Sequence, residues 1–123
     1  MATKIAIIED DPAISQMYRI KFSAEGYDVS VAENGKIGLE LCQKTLPDVV
    51  LLDLMMPEMT GGEMLAKMRD TDWGAKITVI ILTNMGEQEI PEEVRKLGVS
   101  AVILKADMTP RQVAELVKKI ISM

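Results

Sequence analysis

The sequence predicts an α/β domain in which a doubly wound, five-stranded parallel sheet lies between two helical layers, a three-layer sandwich. Three observations carry this prediction. Short apolar runs alternate five times with segments of helical periodicity, a (βα)5 order. The runs at 49–52 and 77–83 are continuous rather than alternating, as in strands buried on both faces. The 123 residues suffice for one core, and no linker, low-complexity tract or charge block divides them, so residues 1–123 read as a single domain.

The first strand, residues 4–9, runs straight into Asp10-Asp11-Pro12. Asp11 is placed to cap the following helix, with Pro12 at its first position. Ile14, Tyr18 and Phe22 mark that helix to about residue 25, and Gly26 ends it. Residues 28–32 alternate and are few, which predicts a strand near the sheet edge. Asn34-Gly35 opens a second helix carrying Ile37, Leu41 and Cys42, and it stops before Pro47. Val49-Val50-Leu51-Leu52 forms the central strand and ends on Asp53. Thr60 and Glu63 make a capping box for a helix burying Met64, Leu65 and Met68. After a connection through Trp73 and Gly74, residues 77–83 form a strand ending on Thr83. Pro91 permits only a short fourth helix, residues 91–97, which Gly98 stops. The fifth strand, residues 101–104, ends on Lys105. Thr109 and Pro110 start the last helix, with Val113, Leu116, Val117, Ile120 and Ile121 at one-face spacing.

Composition narrows the function. A formal charge of −5 argues against direct nucleic-acid or anionic-membrane binding, which needs clustered Lys and Arg. The first apolar run is far too short for a secretory signal, and no stretch is long enough to span a bilayer. A single cysteine, Cys42, forms no intrachain disulfide and fits a cytoplasmic location. It reads as a packed small hydrophobe. The absence of histidine excludes His-based triads, His metal sites and a phosphohistidine carrier.

Asp10 and Asp11, Asp53, Thr83 and Lys105 stand at four strand ends. In a parallel sheet these ends share one edge, where ligands of such folds bind. Carboxylates crowded there repel one another and call for a counter-charge. Mg²⁺ meets that need, because it binds through a few carboxylates plus waters and often a phosphate oxygen. Lys105 adds a mobile positive charge and Thr83 a hydroxyl able to follow a developing oxyanion. The set suits phosphoryl transfer, in which positioning and charge stabilisation do most of the catalysis.

With these residues in view, the sequence resembles the receiver domain of two-component response regulators, of the stand-alone chemotaxis-regulator type. The resemblance rests on Ile7-Ile8-Glu9-Asp10-Asp11, the segment from Leu51 to Gly61, Ile81-Leu82-Thr83, and the segment from Gly98 to Lys105. It implies a flavodoxin-like fold in which Asp53 accepts a phosphoryl group from a phosphohistidine on a sensor histidine kinase or phosphotransfer protein. It further implies that Asp11, Asp53 and the main-chain carbonyl of Met55 bind Mg²⁺, with Asp10 acting through water. Lys105 would contact the phosphoryl group, Thr83 would move to meet it, and binding to a downstream protein would switch. Such a domain promotes only its own phosphorylation and dephosphorylation and is not an enzyme acting on others. Three positions depart from the family pattern. Val102 replaces an aromatic, Ala106 a proline after the lysine, and Asn84 a small residue after the threonine. A non-proline Lys105–Ala106 bond is expected either trans with a displaced loop, the favoured alternative, or as a strained cis bond held for function, and Val102 is too short and stiff to relay the signal as an aromatic does.

Two other classes compete. A haloacid-dehalogenase-like phosphatase also uses a strand-end aspartate and Mg²⁺, but its second aspartate would fall on Met55 and the chain has no cap domain. An interaction domain that keeps only the fold would not need the complete acceptor set.

Overall fold

The computed structural model describes residues 2–122. Five strands and five helices alternate: β1 (Lys4–Ile8), α1 (Pro12–Ala24), β2 (Asp28–Ala32), α2 (Gly35–Thr45), β3 (Val49–Leu52), α3 (Gly61–Arg69), β4 (Thr78–Thr83), α4 (Glu92–Arg95), β5 (Ala101–Leu104) and α5 (Pro110–Ile121). A 3-10 turn at Glu87–Glu89 precedes α4. All strand pairs are parallel and the sheet order is β2-β1-β3-β4-β5, with β3 central and β2 at an edge as its short alternating pattern predicts.

The pleat sorts the apolar side chains into two cores, because successive residues of a strand point to opposite faces. Ile5, Ile7, Val49, Leu51, Ile80, Leu82 and Ile103 meet Tyr18 and Phe22 of α1 and Val113, Ala114 and Val117 of α5. Ala6, Ile8, Val50, Leu52, Val79 and Ile81 meet Cys42 of α2, Met64, Leu65 and Met68 of α3, and Val94 of α4. The sheet is therefore covered on both faces, which is why its central strands need no polar alternation.

Local signals place the helix ends. Asp11 Oδ1 accepts from the backbone of Ala13 at 2.9 Å and Ile14 at 3.4 Å, with Pro12 in the first turn. Gly26, at φ 92°, takes the left-handed conformation that ends α1. Thr60 with Glu63, and Thr109 with Gln112, form complete capping boxes. Helix α4 is shorter than expected, because Pro91 stands outside it as an N-cap residue without a side-chain bond.

On helix α2, Cys42 is buried and Leu41 packs against the core, whereas Ile37 turns outward. Ile37 is 41% exposed, while Gly35, Gly38 and Cys42 are buried. The reason is close approach: a Cβ at Gly38 would lie 2.9 Å from Ile8 Cγ2 and 3.1 Å from Met64 Sδ, so the glycine side is the one that fits against the sheet. On α5 the buried positions are Val113, Ala114 and Val117, with Leu116, Ile120 and Ile121 half-buried. The Lys105–Ala106 bond is trans, like every described peptide bond. Among the described residues no helix is long and apolar enough to cross a membrane.

Candidate functional site

At the carboxyl edge of the sheet the hydrogen-bond ladder runs one residue past three strands. Glu9 N donates to Ala32 O at 3.0 Å, Asp53 N to Ile8 O at 3.0 Å, and Lys105 N to Thr83 O at 2.8 Å. Each of these residues thus keeps the pleat phase of its strand. Counting by two, Glu9 follows Ile5 and Ile7, Asp53 follows Val49 and Leu51, and Lys105 follows Ile103, all members of the core under α1 and α5. Three polar side chains from distant parts of the chain are thereby delivered to one face of one edge.

They meet. Lys105 Nζ donates to Glu9 Oε1 and, at 3.1 Å, to Asp53 Oδ2. The three side chains are nearly sealed from solvent, with 9% of Lys105, 3% of Glu9 and 7% of Asp53 exposed. The second Asp53 oxygen, Oδ1, accepts from Met55 N at 3.2 Å. Asp10 stands at the exposed rim, and Glu9, Asp10 and Asp53 each offer a carboxylate oxygen within 4.8 Å of the others.

The electrostatics follow from burial. Desolvation pushes the Glu9 carboxyl up from 4.5 to about 7, against the hydrogen bond from Lys105 that favours its anion. Desolvation would lower the Lys105 ammonium, but the hydrogen bond to Glu9 and the charge of Asp53 outweigh it and its pKa rises. Lys105 therefore remains a cation. Burial also raises Tyr18, which lies beneath the site, and pushes Cys42 up to about 12, so the latter offers no thiolate.

The group has the donor chemistry of a hard divalent cation. All its ligand atoms are carboxylate oxygens, and three carboxylates against one ammonium leave a local excess of negative charge. On the Asp10 side the group is exposed to solvent.

Of the residues singled out from sequence, Asp10, Asp53 and Lys105 converge. Asp11 does not join them: its carboxylate is turned into α1 as the helix cap, and Glu9 takes its place in the group. The signal that identifies Glu9 is the pleat phase of β1 relative to β3. Met55 lies on the loop leaving β3, with its side chain 62% exposed and its amide on Asp53. Thr83 is fully buried and has the opposite phase, continuing Val79 and Ile81. Its Oγ1 accepts from Met85 N at 3.2 Å, which binds the strand end to the loop that follows.

Glycine makes the acceptor loop possible. A Cβ at Gly61 would fall deep inside contact with the Asp53 carbonyl oxygen and 2.9 Å from Leu54 Cα. Gly61 N instead donates to Leu54 O at 3.2 Å. The start of α3 is thus pressed directly against the backbone that carries Asp53.

The chain is similar to known proteins in sequence and in fold. A family model described as the response regulator receiver domain matches residues 5–120. Sporulation initiation phosphotransferase F of Bacillus subtilis is 39% identical over 98 residues, 80% of this chain and 77% of that protein. The polar-differentiation response regulator DivK of Brucella anthropi is 31% identical over 111 residues, covering 90% of each. The structure of chemotaxis response regulator CheY4 of Vibrio cholerae superposes with a TM-score of 0.89 at 25% identity, over 98% of this chain and 99% of that one. The chain spans only 35% and 50% of two longer relatives, both transcriptional regulators.

Proposed function

The chain belongs to the response regulator receiver domain family, the phosphoryl-accepting module of two-component signalling, and from that premise we propose that Asp53 is the acceptor. The observation that carries the assignment is the three-way junction of Asp53, Lys105 and the Glu9/Asp10 carboxylates at one sheet edge. An Asp53 carboxylate oxygen attacks the phosphorus of a phosphohistidine; the P–N bond breaks, a P–O bond forms, and an acyl phosphate results. Lys105 stays protonated and supplies fixed positive charge to the phosphoryl oxygens. Asp10, Asp53 and the Met55 carbonyl would hold Mg²⁺, with Glu9 acting on it through water. The chemistry such an ion would supply is neutralisation of the charge gathering on the transferred group. The domain carries out only its own phosphorylation and dephosphorylation. Its donor is a sensor histidine kinase or phosphotransfer protein, and its output is altered affinity for a downstream protein.

Incubation with a small phosphodonor, with Mg²⁺ or with EDTA, tests this. Phosphate incorporation in the wild type with Mg²⁺, its loss in EDTA, and its loss in Asp53→Asn are expected. Incorporation at the wild-type rate in Asp53→Asn would place the acceptor elsewhere.

A further inference from the structure

We propose that Asn34 and Gly35, at the start of α2, are positioning residues for the Met55 carbonyl, acting through a clasp on Glu58 and Met59 of the acceptor loop. The proposal rests on the reading of Met55 as a metal ligand. Between Asp53 and Gly61 the loop is pinned inward at Leu54 and Met56, which are 5% and 8% exposed. Beyond Met56 it swings out through Pro57 and Glu58, both exposed. This outer turn is tight, with Met59 N donating to Pro57 O at 2.7 Å. Glu58 holds φ at 66°, a left-handed conformation unfavourable for a residue with a Cβ. Something outside the turn must hold it.

Helix α2 provides the support. Asn34 is 8% exposed, and its Oδ1 accepts from Ile37 N at 2.9 Å as the helix cap. Capping uses only one end of the amide. At the other end Nδ2 donates to Glu58 Oε2 at 3.4 Å. The next residue is in contact as well: a Cβ at Gly35 would lie 2.5 Å from Met59 O and 3.0 Å from Met59 Cβ, so only glycine lets the helix start rest on the turn. Met55 is therefore held from both sides, by Asp53 Oδ1 on its amide and by the clasped turn beyond Met56. The direction of its carbonyl depends on both restraints.

The test compares two pairs of equal charge, Glu58→Gln with Glu58→Ala and the double variant Asn34→Asp/Glu58→Gln with the wild type, and adds Asn34→Asp. Glu58→Gln keeps an acceptor for Asn34, and Glu58→Ala removes it. Asn34→Asp keeps the cap but sets two carboxylates face to face, and Asn34→Asp with Glu58→Gln restores the bond with donor and acceptor exchanged at wild-type net charge. Mg²⁺ affinity is measured by calorimetry, and phosphorylation by a small phosphodonor at limiting and saturating Mg²⁺. Glu58→Ala and Asn34→Asp are expected to bind Mg²⁺ about threefold to tenfold more weakly, the range set by one lost hydrogen bond. Their rates fall at limiting Mg²⁺ and recover at saturation, while Glu58→Gln and the double variant match the wild type throughout. Equal affinity for Glu58→Ala and Glu58→Gln, or no recovery in the double variant, would overturn the clasp while leaving the acceptor reading intact. A wild type that binds no Mg²⁺ would overturn both.

Discussion

Glu9 makes the metal-free protein less stable as the pH rises toward neutrality. Its carboxyl moves from 4.5 to about 7 on folding, chiefly by desolvation. The native state therefore binds a proton more tightly than the unfolded chain. For a carboxyl raised in this way, the stabilising contribution is complete below pH 4.5 and is lost as the pH climbs through about 7. Within that window the native state carries one extra proton, a slope of about 1.4 kcal/mol per pH unit and a total of about 3 kcal/mol. Lys105 does not interfere, because its pKa is raised from 10.5 and its linkage falls above that value. Urea unfolding in EDTA, followed by the half-buried Trp73, measures the effect at a series of pH values from 5 to 8. Wild type should lose stability over this range, and Glu9→Gln should be nearly flat. Saturating Mg²⁺ should flatten the wild-type profile, because the cation takes the place of the proton. A Glu9→Gln profile as steep as the wild type in EDTA would refute the assignment of the proton to Glu9.

The same linkage predicts that Mg²⁺ binding near pH 7 releases part of a proton, so that heats of binding in two buffers differ by a fraction of their ionisation enthalpies; identical heats would argue against it. Asp11→Ala should lower stability by about 1 kcal/mol in thermal unfolding, because it removes the α1 cap and relieves no repulsion in the carboxylate group; a rise in stability in EDTA would show that Asp11 does belong to that group. Gly61→Ala should cost about 1–3 kcal/mol and slow phosphorylation, since the new Cβ must displace the Asp53 backbone; an unchanged rate would mean that the loop yields without moving the carboxylate. A stable phosphoryl mimic should alter amide exchange over residues 84–92, because a Thr83 hydroxyl drawn to the phosphoryl group gives up Met85 N; changes confined to α5 would refute that route.

Much of this protein is legible without its tertiary structure because the signals are local. The Asp11 cap with Pro12, the Thr60/Glu63 capping box and the left-handed Gly26 each involve groups only a few residues apart. The apolar runs show directly which strands lie buried, and a parallel sheet with all its carboxyl ends on one edge then brings Asp53 and Lys105 together whatever the packing details. What the tertiary structure alone decides is phase. Glu9, Asp10 and Asp11 are consecutive acids, and only the pairing of Ile8 with Leu52 establishes which side of the sheet each one faces. A slip of one residue would reverse every assignment. The orientation of α2 is a question of the same kind: Ile37 and Gly38 are neighbours in sequence, but the approach to Ile8 and Met64 leaves no room for a side chain at position 38 and turns Ile37 outward. Likewise, Asn34-Gly35 reads locally as the opening of a helix. Its contact with Glu58 and Met59 spans 24 residues and exists only because the sheet sets α2 beside the loop that leaves β3.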